Sequence, residues 1–303
     1  MNYTDAYDIL CIGNYTKDTI ISPSEVKYVD GGAINYAAYA AHQLGIKVAV
    51  VTRLAEEDKR VVDKFIQDGI DCFVTYTTSS TTMRLEYPTN DPDLRHLSVA
   101  SIAGSITSKD VEGLQTKAAL IGSSLRGEVG LDVIRTLKEK SVLLGADVQG
   151  FVRVLRGQNL FYEVWEEMQE TLSYLDVLKS DAVEAEFLTG EADIYKAAQE
   201  FSQMGAKEIV LTHKDGLLVF TGSEFHSFDF YPENLDGRSG RGDTCIGAYI
   251  AMRLSMNPYE AGIWAAAVTS LKMEKLGPFN RSISEVETLL RVKYNHGEHG
   301  LIN

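Results

Sequence analysis

The sequence predicts a three-layer α/β/α domain built around a mostly parallel sheet, with a small β-sheet lid. Three observations carry this. Short apolar runs alternate with helical segments along most of the chain. Several of those runs end in a glycine or a polar residue, as at Gly13, Asp147 and Asp181. Two stretches, about 15–30 and 73–101, break the alternation; they are rich in Thr, Tyr and Val, show no helical period, and are expected to form the lid.

In chain order, YDILCIG (7–13) reads as a buried strand. TIISPSEVKYV follows as exposed, edge-type β structure around Pro23. AINYAAYAAHQLG (33–45) is an alanine-rich helix closed by Gly45, KVAVVTRL is a strand, and EEDKRVVDKFIQDG is an amphipathic helix ending at Gly69. The stretch 72–102 reads as several strands without a helix. AALIGSSL, VLLGADVQ, LDVLKSD and EIVLTHKDG read as strands, while VGLDVIRTLKEKS, YEVWEEMQETL, YKAAQEFSQMG, DTCIGAYIAMRL, YEAGIWAAAVTSLKMEKLG and ISEVETLLRVKY read as helices. No repeat, low-complexity tract or linker interrupts the pattern, so 1–303 is expected to be one domain.

The chain has 303 residues and a net charge of −14. A nucleic-acid surface would need a basic stripe, so that partner is not expected, whereas an anionic small molecule is compatible with a local cationic patch. Three widely spaced cysteines, Cys11, Cys72 and Cys245, form no CxxC and suggest free thiols. No basic-then-apolar leader opens the sequence and no apolar run approaches the ~18 residues of a membrane span. A cytoplasmic protein is expected.

The stretch GRSGRGDTCIGAYIA (237–251) carries the chemistry. Gly240 and Gly242 let backbone N–H groups approach an anion, and the helix that follows adds its unpaired N–H groups and dipole. Asp243 stands in its first turn, either as a helix cap or as a base beside an anion hole. A Walker A loop is absent, and a dinucleotide fingerprint does not follow the first strand.

GRSGRGDTCIGAY resembles the C-terminal signature of the ribokinase-like (PfkB) sugar kinases, DTTGAGD-x-F-x-G-A. The resemblance places Gly240, Arg241 and Gly242 in the anion hole, Asp243 as catalytic base, and Gly247 and Ala248 at tight helix packing. Gly31-Gly32 with Leu44-Gly45 resembles the N-terminal GG…LG signature, and Gly13 with Asp18 resembles the first strand and its substrate-holding aspartate. DAVEAEFLTG (181–190) resembles N-x-x-E-A-E-x-L-T-G, which places Glu184 near the metal and Asp181 beside it. AAAVTSLKMEKLGPF resembles the helix that lines the nucleotide base. Thr212, Lys214 and Gly216, together with His213, fall where relatives carry a nucleotide loop. The family resemblance implies a ribokinase-like fold, ATP as donor and Mg²⁺ as its metal.

Departures from the pattern bear on the substrate. The signature's leading Asp is Gly237 here, in a region that in many members helps hold a monovalent cation, so potassium use stays open. Its Ala is Arg241, a guanidinium either on phosphate or in solvent. The Asn of N-x-x-E is Asp181, read as a helix cap near the metal. The usual Asn of the N-terminal signature is Tyr36, with Asn35 one position short; both are taken as substrate-side residues. Asp147, Gln149 and Arg153 in LGADVQGFVR resemble a subgroup that includes inositol kinases, which sets Gln149 and Arg153 on the substrate. Together these readings describe an ATP-dependent kinase for a hydroxyl of a small sugar or cyclitol. A nucleoside kinase and a catalytically silent sensor stand as alternatives, and a homodimer through the lid edge is an expectation. Trp165 and Trp264 read as packing, and nothing is assigned to His296 and His299.

Overall fold

The computed structural model describes residues 6–89, 96–140 and 142–294. The chain opens with β1 (Tyr7–Ile12), rises into the hairpin β2 (Thr16–Ile21) and β3 (Val26–Gly31), and returns through α1 (Ala33–Gln43) to β4 (Val48–Ala55). Next come α2 (Lys59–Gln67), β5 (Asp71–Thr77), β6 (Thr81–Glu86), β7 (His96–Ser101), β8 (Thr116–Ile121), α3 (Leu131–Glu139) and β9 (Leu143–Asp147). A short α4 (Gln149–Val152) leads into β10 (Arg153–Arg156) and β11 (Asn159–Tyr162), followed by α5 (Met168–Tyr174), β12 (Val177–Asp181), α6 (Ala182–Thr189) and α7 (Ile194–Gln203). The last part is β13 (Glu208–Thr212), β14 (Gly216–Phe220), β15 (Phe225–Asp229), α8 (Arg241–Arg253), α9 (Pro258–Met273) and α10 (Ile283–Lys293).

Nine strands form one sheet in the order β15-β14-β13-β12-β9-β8-β1-β4-β5. The pairs from β13 to β5 are parallel, while β14 and β15 add an antiparallel edge. Alternation along each strand sends side chains to two cores. Ile9 and Cys11 pack with α1, α8 and α9 on one face, whereas Leu10 and Ile12 pack with α3, α5 and α7 on the other. Both faces are thus covered, as a parallel sheet requires.

The lid is a second sheet, β10-β11-β7-β6-β2-β3. It differs from the expectation in two ways. Residues 73–77 belong to the main sheet, because β5 pairs with β4 from Ala49↔Asp71 to Ala55↔Thr77. The lid instead gains the β10–β11 hairpin, in a stretch expected to start a helix at 162; the helix begins only at Met168. The hairpin closes through Gly157 at φ 63 and Gln158, a two-residue turn in which glycine accepts the positive φ without strain. Residues 90–95 of the expected lid, and His296 and His299, lie outside the described residues.

Cys245 is buried in α8, and Trp165 stacks on Phe151 in the core. Among the described residues no helix is long and apolar enough to cross a membrane.

Candidate active site

The carboxyl ends of β1, β9, β12 and β13 open toward the N-terminus of α8, the place where ligands bind in sheets of this kind. Gly240 is the residue before α8 and sits at φ 77, in the left-handed region. A Cβ there would lie 2.2 Å from the Tyr36 ring, so glycine answers both the backbone and the packing. Deeper in the helix, a Cβ at Gly247 would lie 2.6 Å from the backbone of Ala37, which fixes α8 against α1. That contact holds the first turn of α8 at one place.

Asp243 is in that first turn. It makes no cap; its Oδ1 accepts a hydrogen bond from Gln149 Nε2 at 3.2 Å. Burial raises its pKa above the ordinary 3.8, against the pull of Lys179 and then of Arg153. Gln149 is itself fixed, because its backbone N–H donates to Asp147 Oδ1 at 3.1 Å.

Lys179 was not legible as a site residue, yet it lies at the centre. Its Nζ is 2.8 Å from Asp147 Oδ2, an ion pair between two buried side chains. A Cβ on Gly242 would lie 2.7 Å from the same Nζ, so the ammonium reaches the anion turn only because residue 242 is glycine. Burial opposes the charge on Lys179, but Asp147 and Glu184 outweigh it and raise its pKa, so it stays an ammonium. Burial likewise raises Asp147, with Lys179 opposing.

The second buried pair is Arg153 Nη2 to Glu184 Oε1 at 3.0 Å. Glu184 also accepts from the Asp181 N–H through Oε2 at 3.3 Å, and Asp181 Oδ1 accepts from Glu184 N at 2.8 Å. That reciprocal capping box starts α6. Burial, with Asp181 adding, pushes the Glu184 pKa up to about 7.

On the lid side, Asp18 lies on β2 between Val29 and Met83. A Cβ at Gly31 would lie 2.0 Å from Asp18 Oδ2, so that glycine makes room for the carboxylate. Gly32, at φ 93, opens α1 and lies over the carbonyl of Asn14. Asn35 is buried and donates Nδ2 to Asp30 O at 2.8 Å, which ties down the turn from β3 to α1. The Tyr36 ring is buried beneath the Gly240 turn, and burial pushes its pKa up to about 12. Farther out, Thr212 ends β13 beside Asp181, Lys214 is exposed in the β13–β14 turn, and Gly216 packs against the Phe228 carbonyl. The structure therefore gathers Asp243, Gly240, Gly242, Gln149 and Arg153 with Asp147, Lys179 and Glu184. Asn35 and Tyr36 are engaged by neighbouring protein groups.

Two ions implied by the resemblance meet different surroundings. Among the described residues no three His, Cys, Asp or Glu side chains gather as a cage, and both Glu184 oxygens have partners. The carboxylates of Asp181 and Glu184 at the start of α6 are hard oxygen donors of the kind that would suit Mg²⁺ held through water. A monovalent cation near Gly237 does not fit, because the Lys272 ammonium already lies against the Gly237 carbonyl at 2.5 Å.

A half-buried carboxylate, a glycine turn at a helix N-terminus and two buried ion pairs thus meet at one end of the sheet. The pfkB family carbohydrate kinase model matches residues 2–284, and the chain belongs to that family. A solved pyrophosphate-dependent kinase of the ribokinase family, in a sulfate complex, is 34% identical, with 92% of this chain and 99% of that chain covered and a TM-score of 0.86. Another, a pyrophosphate-dependent ribokinase-family kinase with a pyrophosphate analog and myo-inositol, is 33% identical at the same coverage and TM-score. The cytidine kinase of Thermococcus kodakarensis is 25% identical over 252 residues, which span 80% of this chain and 87% of that protein. The fold is ribokinase-like, and the chain is a sugar or nucleoside kinase of that family.

Proposed function

We propose that this enzyme transfers the terminal phosphoryl group of a phosphate donor to a hydroxyl of a cyclitol or small sugar. The observation that carries it is the Asp243 carboxylate, half-buried beside the Gly240–Gly242 turn and held by Gln149.

Asp18 and the Gly31-Gly32 turn hold the acceptor's hydroxyls, under a lid that excludes water as a competing acceptor. Asp243 takes the proton of the attacking hydroxyl. The N–H groups at 240–242, with Lys179 and Arg241, stabilise charge on the transferring group. Mg²⁺, held through water near Asp181 and Glu184, would neutralise donor phosphate charge. Gln149 and Arg153 line the acceptor side, Gln149 by fixing the base and Arg153 by fixing Glu184. Thr212, Lys214 and Gly216 flank the donor.

Cyclitols are the preferred acceptor class, supported by the Asp147-x-Gln149 pattern and by the myo-inositol bound in the 33% identical relative. ATP is the donor the family resemblance implies. A second reading, pyrophosphate, is favoured by a specific observation: Lys179 and Arg241 both stand at the anion turn, and a small donor without a base needs concentrated positive charge. Transfer to a nucleoside is the remaining alternative, supported by the cytidine kinase relative. Tyr28 and Val26 are exposed on edge strand β3, and pairing of two copies there belongs to the same proposal. The test is ³¹P NMR of mixtures with Mg²⁺, either ATP or pyrophosphate, and a cyclitol, sugar or nucleoside. A new phosphate ester with a cyclitol or sugar supports the reading. Ligand binding without any ester overturns it in favour of a sensor.

A further inference from the structure

Lys272 is 2% exposed, an unusual position for a lysine near the end of a helix. Its Nζ does not snorkel to solvent. It donates to the carbonyl of Gly237 at 2.5 Å and lies 3.5 Å from the carbonyl of Lys275. The ring of Tyr36 stands 5.3 Å from the same nitrogen. The remaining contacts knit this spot together: Gly237 N donates to Met273 O at 2.8 Å, and Lys275 N donates to Lys272 O at 3.2 Å. Burial pushes its pKa down to about 8, with Asp243 opposing, so at neutral pH the group is still mostly an ammonium.

Backbone carbonyls and a π face around one positive charge form a cation site whose cation is covalently attached. Gly237 is part of the device. A Cβ there would lie 1.9 Å from the Lys275 carbonyl and 2.9 Å from the Lys272 carbonyl, so the aspartate that leads the resembled signature has no room here. The ammonium also touches the catalytic turn indirectly. Tyr36, which it faces, packs directly under Gly240.

We propose that the Lys272 ammonium is a built-in replacement for a monovalent cation: it braces the turn from Gly237 to Gly240 through the Gly237 carbonyl and Tyr36, and the enzyme needs no potassium. Lys272 is a positioning residue, since it reaches the reacting groups only through that turn. This rests on the kinase reading for its activity readout, but not for its structural one.

The experiment compares wild type, Lys272→Ala and Lys272→Met in choline, sodium, potassium and ammonium chloride at equal ionic strength. Melting of the ligand-free proteins is measured first. Lys272→Ala is expected to melt lower in choline and to be raised selectively by potassium or ammonium, while wild type does not discriminate among the salts. Lys272→Met keeps the stem but not the charge, fills the space, and is expected to respond to none. In turnover, wild type is expected to be equal in all four salts, Lys272→Ala to fall at least tenfold in choline and recover several-fold in potassium or ammonium, and Lys272→Met to stay low throughout.

Several-fold activation of wild type by potassium overturns the proposal. So does a Lys272→Met enzyme as active as wild type, or a Lys272→Ala protein whose melting ignores the salt, including one that is unfolded in all four. Absence of turnover in wild type itself would sink the kinase reading and leave the melting comparison to decide this one.

Discussion

Replacing Lys179 by methionine removes the ammonium that faces Asp147 at 2.8 Å and keeps most of the side chain's volume. Both partners are buried, so the lost interaction is poorly screened. Breaking a buried pair by removing one member typically costs about 3–5 kcal/mol. The size of the penalty should depend on pH, and the sign follows from Asp147. Its folded pKa is already raised above 3.8 by burial, and without Lys179 it rises further. Between the wild-type and variant folded values, the native variant holds a proton that native wild type has lost. Stability relative to wild type therefore falls as pH rises through that window, by about 1.4 kcal/mol per pH unit at most. Urea unfolding at pH 5 and pH 8 measures this. The expected result is a smaller penalty at pH 5 than at pH 8, where it approaches roughly 3–5 kcal/mol. Asp147→Asn added to Lys179→Met should recover a large part of the pH 8 loss, since no carboxylate is then left facing the gap. Recovery is incomplete because Asp243 also loses a cation. A penalty under about 1 kcal/mol at pH 8, or one independent of pH, would refute the buried-pair account.

Gly240→Ala should lose about 1–2 kcal/mol from the left-handed φ alone, more from the contact with Tyr36, and weaken donor binding; thermal unfolding and the donor KM check this. Gln149→Glu should place a second carboxylate beside Asp243 and raise its already raised pKa. Activity is lost as pH falls through that value, so the acid limb of the kcat profile should move to higher pH, whereas an unmoved limb would show that Asp243 is not the group titrating.

The main sheet and the anion turn were readable because they rest on local signals. A glycine at φ 77 before a helix, an apolar run ending in Asp147 and a capping pair at Asp181 and Glu184 are each written within a few residues. The lid's full extent was not. In β5, alternation specifies one buried face but not which sheet it joins, and pairing with β4 decided that. The β10–β11 hairpin was obscured by the acidic, helix-like run after Tyr162, although Arg156-Gly157-Gln158-Asn159 is a turn signal. Lys179 and Lys272 were missed for a different reason. Each sits in an apolar element where a lysine looks like an exposed position, and only the fold brings Asp147 or the Gly237 carbonyl within reach. Asn35 and Tyr36 look available from their spacing after Gly32, but the turn and Gly240 take up their side chains.

The most direct measurement is phosphoryl transfer to a cyclitol or sugar by wild type and by Asp243→Asn, with ATP and pyrophosphate as donors. Asparagine keeps the shape and can still accept from Gln149, so melting and ligand binding should change little. Turnover should fall by about 10²–10⁴, the usual worth of a general base, or roughly 2.7–5.4 kcal/mol. A variant within tenfold of wild type would contradict the assignment of Asp243 as the base, and with it the mechanism built around the Gly240 turn.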